Sequence, residues 1–229
     1  MTKLLAVETS AEACSVCLSC DGDTYVFFEH APMRHAELLL PAIRSLLDEG
    51  GLPLAELDAI AFGRGPGSFT SLRIGIGVIQ GLAWGAGLPV VPVSSLAAVA
   101  QEAFELSGDN AQSVCVALDA RMNEVYTADF HCAAGTYVEA AGEERVCPPG
   151  EVTAPASTPF IAAGNGFGRF SELEPLGLAS IACHADIWPR AETVARLALK
   201  WLETNEPLAA GLAQPVYVRN KVASKPAPG

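Results

Sequence analysis

The sequence predicts an α/β protein of two related lobes, each a mixed sheet with flanking helices, and three observations carry that prediction. A strand-turn-strand opening occurs once in each half of the chain, at residues 3–20 and again at 114–130. Both openings end their first apolar run on an acidic residue, Glu8 and Asp119. A polar stretch from Leu106 to Gln112, containing Gly108-Asp109-Asn110, separates the halves and places a boundary between lobes 1–105 and 106–229.

The elements follow in order. Residues 3–8 and 13–20 are short apolar runs around Thr9-Ser10-Ala11-Glu12, and Thr24 to His30 is a third strand. Apolar positions 39, 42, 43, 46 and 47 recur at helical spacing, and Pro41 asks that this helix begin near Glu37, because only a first turn tolerates a missing N–H. Leu57 to Phe62 is a buried strand, Gly63 to Ser68 a tight turn, and a long helix opens at Phe69 with Ser68 as its N-cap. A strand (Leu88 to Val93) and a helix (Ser95 to Phe104) close the first lobe. The second holds strands at Val114–Leu118 and Glu124–Phe130, a surface excursion over 142–159, a strand at Phe160–Ala163, a turn at 164–168, and a helix from Ala191 to Glu203. Ser224 to Gly229 reads as a frayed tail.

Composition narrows the function classes. At 229 residues, 50% hydrophobic and 17% charged, the chain can bury two cores. Fourteen Lys and Arg against 26 Asp and Glu give a net charge of -12, which opposes direct binding of a phosphate backbone. Glu8 arrives too early for a signal peptide, and the uncharged run from Ile74 to Gln101, broken by Gln80, Pro89 and Pro92, reads as buried helix and strand rather than a membrane span. The expected location is the cytoplasm. Seven cysteines fit free thiols. Cys14, Cys17 and Cys20 have cluster-like spacing, but on a strand Cys17 faces away from the other two, which stand ~20 Å apart.

Several chemistries find no motif. Gly63 to Ser68 lacks the Gly-Lys-Ser/Thr of a phosphate loop, Gly65-Pro66-Gly67-Ser68-Phe69 lacks the closing glycine of a nucleophile elbow, and His30 and His35 do not have metallopeptidase spacing. No catalytic residue and no metal ligand is assigned. Glu8, Thr9, Asp119, Gly164 and Gly166 are the candidates for holding a nucleotide between the lobes, with weak ATP or ADP binding as the most they would give.

The helix after Phe69 is the anomaly. Gly75, Gly77, Gly81 and Gly85 each cost about 1 kcal/mol relative to alanine inside a helix, so roughly 4 kcal/mol must be offset. Gly77, Gly81 and Gly85 make a bare stripe beside Ile74, Val78 and Leu82. Either the helix around Leu38–Leu47 or a helix of another subunit fills it, and the spacing favours neither.

Leu5 to Ser10, Ala13 to Val16, Arg34 to Pro41, the long segment Phe62 to Gly77, Leu118 to Arg121 and Pro215 to Asn220 together resemble the TsaB (YeaZ) family of bacteria over nearly the whole chain. The resemblance implies an actin-like, Hsp70-like ATPase-superfamily (ASKHA) fold. It also implies a non-catalytic scaffold role in adding threonylcarbamoyl to the adenosine beside the anticodon of tRNA. The implied partners are a metal-binding catalytic paralogue, TsaD, and an ATPase, TsaE, with a homodimer in isolation and tRNA contacted only through the complex. An older label for the family, glycoprotease-like, implies a metallopeptidase instead, and the fold itself a small-molecule kinase or ATPase. Partner-binding residues carried over are His35, Leu39, Ile43 and Leu46 on the first helix and Phe69, Leu72, Arg73, Ile76, Gly77 and Gly81 on the glycine-rich one. The tail 221–229 either hangs free or packs back on the first lobe. Position 8 carries Glu where the family has Asp.

Overall fold

The apolar run at the start of the chain becomes β1 (Leu4–Glu8), which pairs antiparallel with β2 (Ala13–Cys20), and β2 pairs antiparallel with β3 (Asp23–His30). The computed structural model describes residues 2–108, 110–132 and 137–219. After α1 (His35–Glu49) comes β4 (Ala59–Gly63), parallel to β1; α2 (Phe69–Ala86) leads into β5 (Val90–Val93), parallel to β4. The first sheet therefore runs β3-β2-β1-β4-β5. α3 (Ser95–Ser107) then crosses to the second lobe.

There the same plan repeats. β6 (Ser113–Asp119), β7 (Val125–Cys132) and β8 (Val138–Ala140) form an antiparallel meander, with β9 (Arg145–Cys147) pairing the other part of β7. β10 (Phe160–Ala163) lies parallel to β6, α4 (Gly166–Arg169) and α5 (Glu174–Ala179) follow, and β11 (Ala182–His184) lies parallel to β10. The order β8-β7-β6-β10-β11 matches the first sheet strand for strand, so the duplication expected from Glu8 and Asp119 is a duplication of whole sheets. This is the actin-like fold.

The helices ignore the boundary at 105/106. α6 (Ala191–Leu202) comes from the second half but packs on the first sheet, burying Val194, Ala195 and Ala198 against Leu4, Ala6, Cys17, Ala61 and Val91. α3 comes from the first half but packs on the second sheet, burying Leu96, Val99, Ala100 and Phe104 against Val114, Val116 and Ile161. Both helices thus lie between the sheets, and α3 runs through the expected boundary to Ser107. On its other face the first sheet is clad by α1 and α2, where Leu39, Ile43, Leu46, Ile76 and Ile79 meet Leu5, Val16, Leu18, Ile60 and Phe62.

Four local expectations change. α1 begins at His35, so Pro41 sits inside the helix and removes the bond to the Glu37 carbonyl, at a cost of about 3 kcal/mol that the buried Leu39-Ile43-Leu46 face offsets. Ser68 precedes α2 without capping it, whereas Ser94 caps α3 by accepting from the Ala97 N–H at 3.1 Å. The excursion over 142–159 contributes β9 to the sheet. The turn at 164–168 already holds the start of α4. Cys14 and Cys20 share the α1/α2 core and Cys17 the α6 core, all buried and unbonded; burial pushes the thiols of Cys14 and Cys17 up to about 11 and about 12. Asn220 and the tail from 221 lie outside the described residues, as does Asp109 of the boundary turn.

Candidate functional site

α2 presents two faces because its apolar residues recur at helical period. Leu72, Gly75, Ile76, Ile79 and Ala83 turn inward. Gly75 is glycine for a steric reason: a β-carbon there would overlap the Thr9 hydroxyl, which itself donates to the Ser71 carbonyl at 3.1 Å. Gly77, Gly81 and Gly85 turn outward, and a β-carbon at any of them meets nothing within 4 Å among the described residues. The bare stripe is therefore not filled by α1, which meets α2 on the inward side.

Half-buried Ile74, Val78 and Leu82 flank the stripe, and aromatic rings close its ends. At the start of α2, Phe69 is 41% exposed, stacks on Tyr217 with centroids 5.3 Å apart, and carries the Arg73 guanidinium 4.1 Å above its ring. Arg73 Nε also donates to the Tyr217 hydroxyl at 3.1 Å. Near the end of α2, Trp84 is 75% exposed. A helix whose own sheet consumes one face thus offers a second face with a flat floor, an aliphatic ridge and aromatic anchors, the residue types enriched in protein interfaces.

Of the ten interface residues expected from sequence, Phe69, Arg73, Gly77 and Gly81 lie on this outer face. The other six lie elsewhere. His35, Leu39, Ile43, Leu46, Leu72 and Ile76 are buried in the chain's own core, because the apolar stripe of an amphipathic helix is first claimed by its own sheet. Sequence reasoning missed Trp84 and Tyr217. Trp84 carried a signal, being a large apolar residue next to Gly85 at the end of the stripe; Tyr217 carried none, since a distant segment brings it to Phe69.

The two acidic strand ends have different fates. Glu8 is 1% exposed; its Oε1 accepts from the Ser10 N–H at 2.6 Å and its Oε2 from the Ser95 hydroxyl at 2.7 Å. Gly63 leaves the room, as a β-carbon there would overlap the carboxyl, and burial raises the carboxyl's pKa above its ordinary value. Asp119 faces the space between the lobes, where Arg121 (3.4 Å) and Arg169 (3.3 Å) pair with it. Gly164, at φ 104, and Gly166 press on the Ala117 carbonyl, which would lie 2.8 Å from a β-carbon at Gly166. Among the five nucleotide candidates only Asp119 lines the interlobe cleft; Glu8, Thr9, Gly164 and Gly166 are engaged inside the fold.

That cleft has a volume of about 380 Å³. The Gly67–Phe69 turn, the Asp119–Met122 turn, Trp188 and the chain end at Val216–Arg219 wall it. Polar contacts join the two halves: Arg121 pairs with Glu12 and Tyr126 donates to the Gly67 carbonyl at 3.2 Å beside the cleft, and Arg64 grips Glu144 in a fork at 2.9 and 3.0 Å away from it. No group of three His, Cys, Asp or Glu able to hold a metal occurs among the described residues, and no helix among them is long and apolar enough to cross a membrane.

The matching order of the two sheets defines a protein of duplicated actin-like fold. Residues 26–223 match the family model described as TsaD: tRNA N6-adenosine threonylcarbamoyltransferase. The tRNA threonylcarbamoyladenosine biosynthesis protein TsaB of Escherichia coli K12 is 37% identical over 230 residues, 99% of either chain. Its namesake in Haemophilus influenzae Rd is 39% identical over 239 residues, 99% of this chain and 97% of that one. A solved structure of YeaZ from Pseudomonas aeruginosa, 44% identical, superposes with a TM-score of 0.87 over 95% of this chain and 100% of that one. The chain belongs to this family, as one of its TsaB (YeaZ) proteins.

Proposed function

We propose that this chain is a non-catalytic scaffold subunit in the formation of threonylcarbamoyladenosine on tRNA, and that it docks a TsaD-type catalytic paralogue through the outer face of α2. The observation that carries the reading is the open stripe of Gly77, Gly81 and Gly85: these residues weaken the isolated helix by about 3 kcal/mol and relieve no contact among the described residues. A partner helix laid along the stripe reaches close backbone contact and covers the flanking ridge and Trp84. The same face serves a homodimer when the paralogue is absent, so the two assemblies compete. A TsaE-type ATPase joins the complex. The chain works in the cytoplasm and needs no cofactor of its own.

Charge supports an indirect relation to tRNA. At a net charge of -12 the chain does not hold nucleic acid by itself, and a more basic partner carries those contacts. The test is reconstitution of tRNA modification from purified TsaD- and TsaE-type partners with and without this chain. Full modification without it overturns the reading; modification restored by the wild type and not by the Gly77→Leu/Gly81→Leu variant supports it.

A further inference from the structure

The two sheets use the outer faces of matching strands differently. β2 turns Val16 and Leu18 into the core beneath α1 and α2. β7, the second strand of the other sheet, sends Ala128 and Phe130 toward α3, so strand alternation turns Thr127, Asp129 and His131 to the outer side. Where α1 follows β3 in the first lobe, residues 141–157 follow β8 in the second and hold no α-helix. Both ends of that segment are pinned to the sheet: the Ala141 N–H donates to the Asp129 carbonyl at 2.9 Å, and the Ser113 hydroxyl to the Ser157 carbonyl at 2.5 Å. Between the segment and the sheet lies a cavity of about 340 Å³, lined by the polar row of β7, by Glu143 and Arg145, and by Val152, Pro155 and Ala156.

Opposite charges stand apart in this cavity. Asp129 is half-buried; burial is the main force raising its carboxyl's pKa, while a bond from the Cys115 thiol and the charges of Arg145 and His131 lower it. Arg145 attracts that carboxylate from outside ion-pair contact, and its own bond is a long one, from Nη2 to the Glu151 carbonyl at 3.4 Å. Glu143 stands exposed at the rim. A carboxylate partly withdrawn from water without a cation in contact, beside a guanidinium without an anion in contact, favours a ligand that carries both signs. A simple anion would answer Arg145 and be repelled by Asp129, and a simple cation the reverse. A zwitterion answers both, and Val152, Pro155 and Ala156 give its body an apolar wall.

We propose that this cavity binds a free aliphatic α-amino acid, with the ammonium group on Asp129, the carboxylate on Arg145 and the side chain against Val152 and Pro155. The site is separate from the outer face of α2 and from the space between the lobes, and it does not rest on the scaffold reading. Three compounds are titrated into the 15N-labelled full chain: L-leucine, isocaproate, which lacks the ammonium group, and isoamylamine, which lacks the carboxylate. Leucine binds about tenfold tighter than either analogue, with the largest shifts at the amides of Asp129, Arg145 and Val152. Arg145→Gln, a change at an exposed side chain, weakens leucine binding by about tenfold and leaves isoamylamine binding unchanged. Asp129→Asn weakens leucine binding by as much and does not weaken isocaproate; should that variant lower Tm, Arg145→Gln decides. Absence of saturable leucine shifts, shifts confined to other segments, equal affinity for the three compounds, or unchanged leucine affinity in Arg145→Gln overturns the proposal.

Discussion

Gly75 and Gly77 stand two residues apart on α2 and face opposite ways. Gly75 is glycine because Thr9 occupies the place of a side chain, and its cost in helix propensity is offset by the tight seat of α2 on the end of β1. Gly77, with Gly81 and Gly85, has open space before it, so nothing among the described residues offsets the cost. The inner face answers to the fold; the outer face is left open by the described residues. The lobes differ in the same sense. Their sheets match strand for strand, but long helices clad the outer side of the first, while the second has α4, four residues long, and α5, six residues long. Duplication preserved the sheets, and the long helices that bear the open glycine stripe clad one copy only.

Substitutions on either side of α2 can break this contrast. The largest effect is expected on the inner side: Gly75→Val drives a branched side chain into Thr9 and costs about 3 kcal/mol, a Tm lowered by roughly 6–12 °C in a thermal melt. Glu102, half-buried on α3, is a control outside both faces. Burial is the main force pushing its carboxyl up to about 7; Arg190, 3.4 Å away, pulls it down, Glu192 and Glu105 raise it, and Arg196 lowers it. A raised carboxylate pKa means stability present below pH 4.5 and lost as pH rises through about 7. Glu102→Gln is therefore more stable than wild type by about 1 kcal/mol at pH 8 and level with it near pH 4, read from melts across pH.

Smaller effects are expected outside. Gly77→Ala gains about 1 kcal/mol, raising Tm by about 2–4 °C, since its methyl group meets no neighbour among the described residues. Trp84→Ala changes stability by less than about 0.5 kcal/mol while weakening association. A melt in which Gly77→Ala destabilises as Gly75→Val does would erase the difference between the two faces.

Much of this was legible in the sequence, for identifiable reasons. Strand runs such as Leu4–Glu8 and Phe160–Ala163 are short, apolar and bounded by turn residues, so their positions follow from pattern alone. The glycines of α2 announced themselves through their cost. Direction was not legible: spacing groups Leu39, Ile43 and Leu46 on one face of α1 but does not say whether that face meets its own sheet or another chain, and the structure gives it to the sheet. The exchange of α3 and α6 between lobes was equally hidden, because each helix would suit either sheet. Glu8 looked available at a strand end, and only the distant Gly63 and Ser95 show how it is enclosed.

The central claim is that the outer face of α2 exists for a partner and not for the fold. Its most direct test pairs a thermal melt of Gly77→Leu/Gly81→Leu with sedimentation of that variant alone and with the TsaD-type paralogue. The account predicts a Tm equal to or above wild type, because leucine is the better helix former, together with loss of both the homodimer and the heterocomplex. A folded double variant that still binds the paralogue as the wild type does would contradict it.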